Sequence, residues 1–490
     1  MWRHDVTLLA EVNTAHFTWR ENGTDVGTLC EPRKGERFTG HHQDQKRGSG
    51  YLCQTRGVLC FQQTGQRGLP SLLYPSKHGP AIQTTSASHN IRHKHRTKNG
   101  GKEERMSCET LLRCSQCKMA RYCNSACQKQ AWPVHKKECR CLCSLLPRHP
   151  TDSVRLAARL IFTLLNPPQS SNEELYSIDE HESHLDSMAE QKKEGLSELA
   201  TMLELYMETE IPDLKKRMTS ELPLSCREAL SIIAKVTCNC FTISDGELQE
   251  IGVGLYPSLS LLNHDCRPNC VMVFNGTELQ LRAVQDIDPG EELRISYIET
   301  LSLTEDRQKQ LEEQYHFTCH CQRCSSKEQD GVMLSGREAA WHQLKEALPR
   351  LDGLQLESNW LELLESCSNL LTSVGEEVPD ENLYKLKITD MALDASVHLG
   401  RWEEALSFGL KTLSSYRLYY PDPHPVHGVQ LMRVGKLQHH LGCIEDALES
   451  FKEAFKILKL THGEDHPLIV DLMMKMEECR SEIDLQQPSN

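Results

Sequence analysis

The 490-residue sequence is short of core-forming residues, with 38% hydrophobic and only 6% aromatic. That share is low for a purely globular chain, so some segment must dilute it. No apolar run approaches the ~20 residues needed to cross a bilayer, which excludes a helical membrane span. No charged-then-apolar leader opens the chain, so the expectation is a soluble intracellular protein, of cytoplasm and nucleus, with no membrane attachment. Positive charge is also in deficit, with 55 Lys and Arg against 69 Asp and Glu and a net charge of −14. An acidic surface repels nucleic acid and steers basic, Lys-rich peptides such as histone segments toward it, although acid also serves solubility alone.

What the chain has in quantity is cysteine, 22 residues. A long chain expected in a reducing compartment does not use them as disulfides, and clustered thiols there point to metal. The length suits several domains, each with its own core.

Residues 1–105 scatter Gly, Ser, His, Gln and Arg without a helical or strand period, and end in a basic tract from His89 to Arg105. They read as disordered or foreign to the rest. A cysteine-rich unit follows at 108–143. Residues 151–250 read as helical, with Val154, Leu156, Leu160, Ile161, Leu164 and Leu165 on one apolar stripe. A strand-rich block covers 251–300, and a charged helix from Glu305 to Gln314 dominates 301–330. From 335 to 490 only helices are expected. There Leu399-Gly400-x-Trp402-Glu403-x-Ala405-Leu406 recurs as Leu441-Gly442-x-Ile444-Glu445-x-Ala447-Leu448, and His424-Pro425 recurs as His466-Pro467, both at an offset of 42. Two features at one period predict stacked helix pairs of the tetratricopeptide kind; two unrelated helical hairpins stay the alternative.

Cys114-x-x-Cys117, Cys123-x-x-x-Cys127 and His135-x-x-x-Cys139 fall within 26 residues. A Cys-x-x-Cys knuckle closes a tight loop round a tetrahedral ion, and i, i+4 pairs put two ligands on one helical face. A separate cluster, Cys319-x-Cys321-x-x-Cys324, needs a distant fourth ligand, for which Cys266 is the candidate. Cys226, Cys238, Cys240 and Cys270 stand alone in apolar surroundings and read as buried free thiols.

Leu262-Asn263-His264-Asp265-Cys266-Arg267-Pro268-Asn269-Cys270 sets two hydrogen-bonding side chains directly after an apolar run. Buried polar groups need partners, although a plain turn would also use Asn, Asp and Pro. Gly290-Glu291-Glu292-Leu293-x-Ile295-x-Tyr297 follows. Together the two segments resemble the signature motifs of the SET domain. With the finger upstream, the Cys-x-Cys-x-x-Cys downstream and helical repeats beyond, the order resembles the SMYD family of SET and MYND domain lysine methyltransferases. Gly252-Val253-Gly254-Leu255-Tyr256-Pro257 and Val273-Phe274-Asn275-Gly276 are most similar to its third paralogue. The likeness covers about Leu112 to Leu472.

The resemblance implies an α+β multidomain fold: a MYND zinc finger, a SET β-fold with a post-SET zinc site, and a C-terminal all-α tetratricopeptide-like domain. It implies a monomeric S-adenosylmethionine-dependent protein-lysine N-methyltransferase acting on histone and other protein lysines. Zinc would be held by Cys114, Cys117, His135 and Cys139, with Cys123 and Cys127 belonging to a second finger site, and by Cys266, Cys319, Cys321 and Cys324. The methyl donor would be held by Tyr176, Asn239, Asn263, His264, Tyr297 and Phe317, Tyr297 being the catalytic residue. Tyr315 and Phe241 would wall the lysine channel, and His184 stands where the family has asparagine. The finger, with seven Lys and Arg against one Glu over 113–141, is the expected site for proline-rich peptides or nucleic acid.

The sequence departs from the family in two places. The second finger site lacks its first Cys-x-x-Cys, leaving Cys108 alone, with Cys141 and Cys143 nearby. The Gly-x-Gly turn of the SET N-lobe has one counterpart, Gly48-Ser49-Gly50, after which no strand pattern is legible. The alternative is therefore a catalytically impaired interaction protein, built on finger and repeats, that lacks the SET N-lobe.

Overall fold

The structure is a computed structural model, and its described residues are 51–56, 58–61, 112–122, 124–148, 150–166, 177–276, 278–288 and 290–486. Tyr176, Cys123, Cys108 and Gly48-Ser49-Gly50 lie outside them.

Two short strands, β1 (Tyr51–Arg56) and β2 (Val58–Phe61), directly follow the glycine tripeptide. β1 runs antiparallel to residues 278–282, with Arg56 opposite Glu278 and Tyr51 opposite Arg282. β2 runs antiparallel to residues 252–255, with Val58 opposite Leu255 and Phe61 opposite Gly252. This corrects the reading that no strand follows Gly48-Ser49-Gly50. The segments are short and lack clean alternation; what defines them is the backbone edge they pair with, which a local pattern does not encode. Both sheet edges that a missing lobe would leave open are thereby paired.

In the finger, β3 (Leu112–Arg113) and β4 (Arg121–Tyr122) form a hairpin that presents Cys114 and Cys117 in its turn. α1 (Ser125–Leu145) follows, capped by Asn124, whose side chain accepts from the Cys127 N–H at 2.9 Å. Spacing by four residues puts His135 and Cys139 on the buried face. Glu138 on the same face is 1% exposed and meets two arginines of α2 (Asp152–Leu164), Arg155 Nε at 2.5 Å and Arg159 Nε at 3.0 Å. This buried ion cluster bolts the finger to the helical segment. Val154, Leu156, Leu160 and Ile161 are at most 1% exposed, as the apolar stripe requires.

Three more helices, α3 (Glu190–Met207), α4 (Leu214–Glu221) and α5 (Ala229–Asn239), complete that core. α5 runs directly into β5 (Cys240–Ser244), which pairs with β6 (Glu250–Leu255), whose other edge takes β2. Next come β7 (Asn263–His264), β8 (Cys270–Asn275), β9 (Glu278–Ala283) and β10 (Arg294–Ile295). β8 and β9 form a hairpin with β1 outside β9, while β10 lies parallel to β7. Parallel pairing brings the chain after Ile295 alongside the chain after His264. α6 (Thr304–Tyr315), α7 (Gln322–Ser326) and α8 (Asp330–Met333) follow.

The remainder is helical: α9 (Glu338–Leu356), α10 (Trp360–Val374), α11 (Leu383–Leu399), α12 (Trp402–Tyr419), α13 (Pro425–His440), α14 (Ile444–His462) and α15 (Pro467–Gln486). The 42-residue offset relates α11–α12 to α13–α14. Gly400 and Gly442 sit at φ 70° and 80° after the first helix of each pair, where a side chain would be strained, and Pro425 and Pro467 open the next helices. Ala405 and Ala447 are fully buried, and a Cβ on Gly435 would lie 2.6 Å from the Phe451 ring, so small residues set the close approach. The repeats dock on the β8–β9 sheet: Arg282 Nε donates to Leu460 O at 3.0 Å, and His466 Nε2 to Phe274 O at 3.0 Å.

Candidate active site and zinc centres

Four ligand atoms, from Cys114, Cys117, His135 and Cys139, lie within 4.8 Å of one another. The Cys114 and Cys139 sulfurs are 3.6 Å apart, and Cys117 Sγ is 3.5 Å from His135 Nε2. A tetrahedron with usual zinc bond lengths has edges of about 3.7 Å between sulfurs and about 3.5 Å between sulfur and nitrogen. The donor set and spacing therefore fit Zn2+. Burial pushes His135 down to about 4, which keeps the imidazole neutral as a ligand must be. Cys127 does not join this group, and the site expected for Cys123 and Cys127 falls largely outside the described residues.

The second cluster gathers Cys266, Cys319, Cys321 and Cys324 within the same limit, with Cys266 and Cys324 sulfurs 3.6 Å apart. The turn after β7 thus brings Cys266 to the place of a distant fourth ligand, and the four-sulfur set fits zinc in the same way.

This zinc site adjoins the SET motifs through His264. The Tyr297 N–H donates to His264 Nδ1 at 3.0 Å, so the ring proton sits on Nε2, which faces Cys266 Sγ at 3.2 Å. Burial holds His264 at about 4 and so keeps this tautomer uncharged. One imidazole therefore ties the Tyr297 backbone to a zinc thiolate, a link of the kind that orients metal ligands in other sites.

Around that link the aromatic side chains converge. Tyr297 lies 5.3 Å from His264, 4.9 Å from Tyr315 and 6.2 Å edge-on from Phe317, and His264 lies 5.9 Å from Phe317. All four are half-buried, leaving ring surface for a further molecule. The Tyr297 hydroxyl donates to Leu262 O, and the Tyr315 hydroxyl donates to Tyr297 O at 3.2 Å. Burial raises both phenols well above their ordinary value, so both stay protonated. Phe241 packs edge-on against Tyr256 at 5.8 Å and shares its core cluster with Tyr297.

The two asparagines are held by their amide nitrogens. Asn263 Nδ2 donates to Glu292 Oε1 at 2.6 Å, and Asn239 Nδ2 to the carbonyls of Lys235 at 2.7 Å and Glu182 at 2.9 Å. Each Oδ1 keeps its acceptor capacity. His184, in the left-handed region at φ 54°, stacks on His316 at 4.8 Å and so joins the loop before α3 to the end of α6, next to Phe317.

Sequence reasoning missed two supports. Lys235 is 3% exposed and its ammonium donates to the carbonyls of Ile178, Asp179 and His181, shaping the loop that ends at His184. A lysine inside an apolar helix face was the available signal. Glu292 pins Asn263 and pairs with Arg294, which also reaches Asp265; its place in the Gly290-Glu291-Glu292 motif was read as part of a signature without a role.

A metal-bearing finger beside a SET-like sheet, a four-thiolate zinc site and a half-buried aromatic cage define a class, and comparison with known proteins agrees. The MYND finger family model matches residues 102–139. The chain is 47% identical over 375 residues to the histone-lysine N-methyltransferase SMYD3 of Homo sapiens, covering 76% of this chain and 86% of that protein. It is equally similar, at the same coverage, to SMYD3 of Mus musculus, and 33% identical over 386 residues to the N-lysine methyltransferase SMYD2 of Gallus gallus, again covering 76% and 86%. The chain belongs to the SMYD family of SET and MYND domain proteins.

Proposed function

We propose that this chain is an S-adenosylmethionine-dependent protein-lysine N-methyltransferase acting on histone and other Lys-rich proteins. The observation that carries the reading is the junction of Asn263, His264 and Tyr297 against a four-thiolate zinc site, within a family whose named members are lysine methyltransferases. The half-buried rings and the two asparagine Oδ1 acceptors suit a ligand with an aromatic base and an ammonium group. Asn239, Asn263, His264, Tyr297 and Phe317 would hold that donor, with Tyr176 in the same set, and it supplies an electrophilic sulfonium methyl group.

The chain's own part is alignment and water exclusion. The Tyr297 hydroxyl spends its proton on Leu262 O, so its oxygen is an acceptor able to take an N–H from a neutral lysine amine and aim the nitrogen lone pair. Tyr315 fixes the Tyr297 backbone, and Tyr315 and Phe241 form apolar walls. The net charge of −14 favours approach of basic peptide segments. Calorimetry of the full zinc-loaded chain with S-adenosylmethionine tests the reading. Saturable binding supports it; absence of binding by a folded sample favours the interaction protein instead.

The finger carries a second binding role. A concavity lined by Ser115, Gln116, Gln128, Lys129 and Trp132 joins an aromatic face to amide groups, which suits a proline-rich segment better than a nucleic acid backbone. The proposed functional units are the finger at 108–143, a SET core at 251–300 that the strands at 51–56, 58–61 and 240–244 join, and repeats at 335–490, in a monomer of cytoplasm and nucleus. No helix of the described residues is long and apolar enough to cross a membrane.

A further inference from the structure

Arg307, in the first turns of α6, is among the largest fully buried side chains of the described residues, at 1% exposure. Its guanidinium donates to Ser302 O, to Thr304 Oγ1 at 3.0 Å and to Cys324 Sγ at 3.7 Å. Among the described residues no carboxylate lies within ion-pair distance of it, and its Nε has no partner. Arg323, 4% exposed between two zinc ligands, donates to Thr300 O at 2.7 Å and its Nε is unpartnered; among the described residues no carboxylate reaches ion-pair distance of it, although Glu299 acts on it through space. Two buried cations without carboxylates are a costly arrangement unless other anions balance them.

The anions at hand are the zinc thiolates. Four thiolates around a dication leave a surplus of two negative charges, in an interior where such charge is poorly screened. Cys266 and Cys324 are the electrostatic partners of Arg307; on Arg323, Cys266 and Glu299 act against the repulsion of Arg307 and Arg267. The finger site differs: with one imidazole its surplus is smaller, and the arginines that act on its His135, Arg155 and Arg159, are already paired with Glu138.

We propose that Arg307, backed by Arg323, is the built-in countercharge of the four-thiolate zinc centre and thereby a positioning residue for it. The guanidinium donates to the Cys324 sulfur and offsets the surplus negative charge of the loaded site, and so slows loss of the metal. A neutral brace runs beside it, since Gln308 Oε1 accepts from the Cys319 N–H at 2.9 Å and Gln308 Nε2 donates to Cys319 O at 2.6 Å. α6 therefore stays attached to the zinc loop when the charge is removed.

Two substitutions in the full zinc-loaded chain separate charge from packing. Arg307→Gln keeps donors but loses the charge; Arg307→Lys keeps the charge but loses the planar fork that reaches Ser302 and Thr304. Zinc transfer to the chelator 4-(2-pyridylazo)resorcinol gives the rate, and cadmium-113 spectra of the exchanged protein distinguish the all-sulfur site from the finger site. The expected result is release from the all-sulfur site ~10–100-fold faster in Arg307→Gln, with Arg307→Lys close to the unmodified protein and the finger metal unchanged. A wild-type rate in Arg307→Gln, equal acceleration in both variants, or acceleration at the finger as well would overturn the proposal and leave Arg307 a packing residue.

Discussion

Replacing Tyr297 by Phe removes one oxygen atom and separates bracing from chemistry. In the structure the hydroxyl donates to Leu262 O, on a residue only 1% exposed that immediately precedes Asn263. Deleting the donor leaves a buried carbonyl unsatisfied, which costs about 1–3 kcal/mol. The ring contacts with His264, Tyr315 and Phe317 are kept, as is the backbone bond from Tyr297 N–H to His264, so the fold should survive. The acceptor for the lysine amine is lost as well. Misorientation of a reacting group costs up to about 100-fold in rate, so transfer should fall by roughly 10–100-fold, or ~1.4–2.8 kcal/mol in the barrier. The assay is transfer of labelled methyl groups from S-adenosylmethionine to a histone mixture at saturating donor, with zinc content and thermal melting measured on the same samples. A folded, zinc-loaded Tyr297→Phe protein that methylates at the unmodified rate would refute the role given to this hydroxyl.

Glu138→Gln should destabilise the contact between finger and α2 by about 3 kcal/mol, because Arg159 and Arg155 both lose the Glu138 carboxylate, although Arg155 keeps Asp152; hydrogen exchange across 125–145 under zinc-saturating conditions reads this, and unchanged protection would count against it. Stripping the metals with a chelator should raise exchange at the Tyr297 N–H, since His264 joins that amide to Cys266, and should abolish binding of S-adenosylmethionine in calorimetry. Asp390, half-buried beside Tyr416 and Gln430, is raised by partial desolvation to about 6 from a usual value near 4. A carboxyl raised in the folded state contributes stability that is complete below its unfolded value and is lost as pH climbs through about 6. Asp390→Asn should therefore gain on the unmodified protein by on the order of 2–3 kcal/mol between pH 4 and 7, in denaturant unfolding at stepped pH, and parallel pH profiles would contradict the shift.

The zinc sites were the most legible feature because metal-ligand spacing is a local property. Cys114-x-x-Cys117 and His135-x-x-x-Cys139 each occupy one turn or hairpin, and the resemblance to the MYND finger implied that these two pairs, and not Cys123 and Cys127, share one ion. At the other site three thiols within six residues require a fourth from elsewhere, and folding brings Cys266 beside them. The 42-residue helical period was legible for the same reason, whereas the additional pair α9 and α10 carries no copy of the motif and was not visible as a repeat.

What sequence could not reach were the contacts made by backbone or by charge over long separations. β1 and β2 have little pattern of their own and are defined by pairing with β9 and β6, more than 190 residues away. Lys235, Glu292 and Arg307 look like ordinary charged residues until packing puts them under carbonyls, an asparagine and a thiolate. The sequence by itself determined the family motifs, the ligand sets and the repeat period, because each depends on residue type at short spacing. Only the tertiary structure decided that the segment after Gly50 closes both sheet edges, that one neutral histidine joins Tyr297 to the zinc thiolates, and that two buried arginines stand against a centre with surplus negative charge. The physical reason is that pairing edges, tautomers and charge balance are properties of atoms brought together by folding, and no stretch of chain holds them alone.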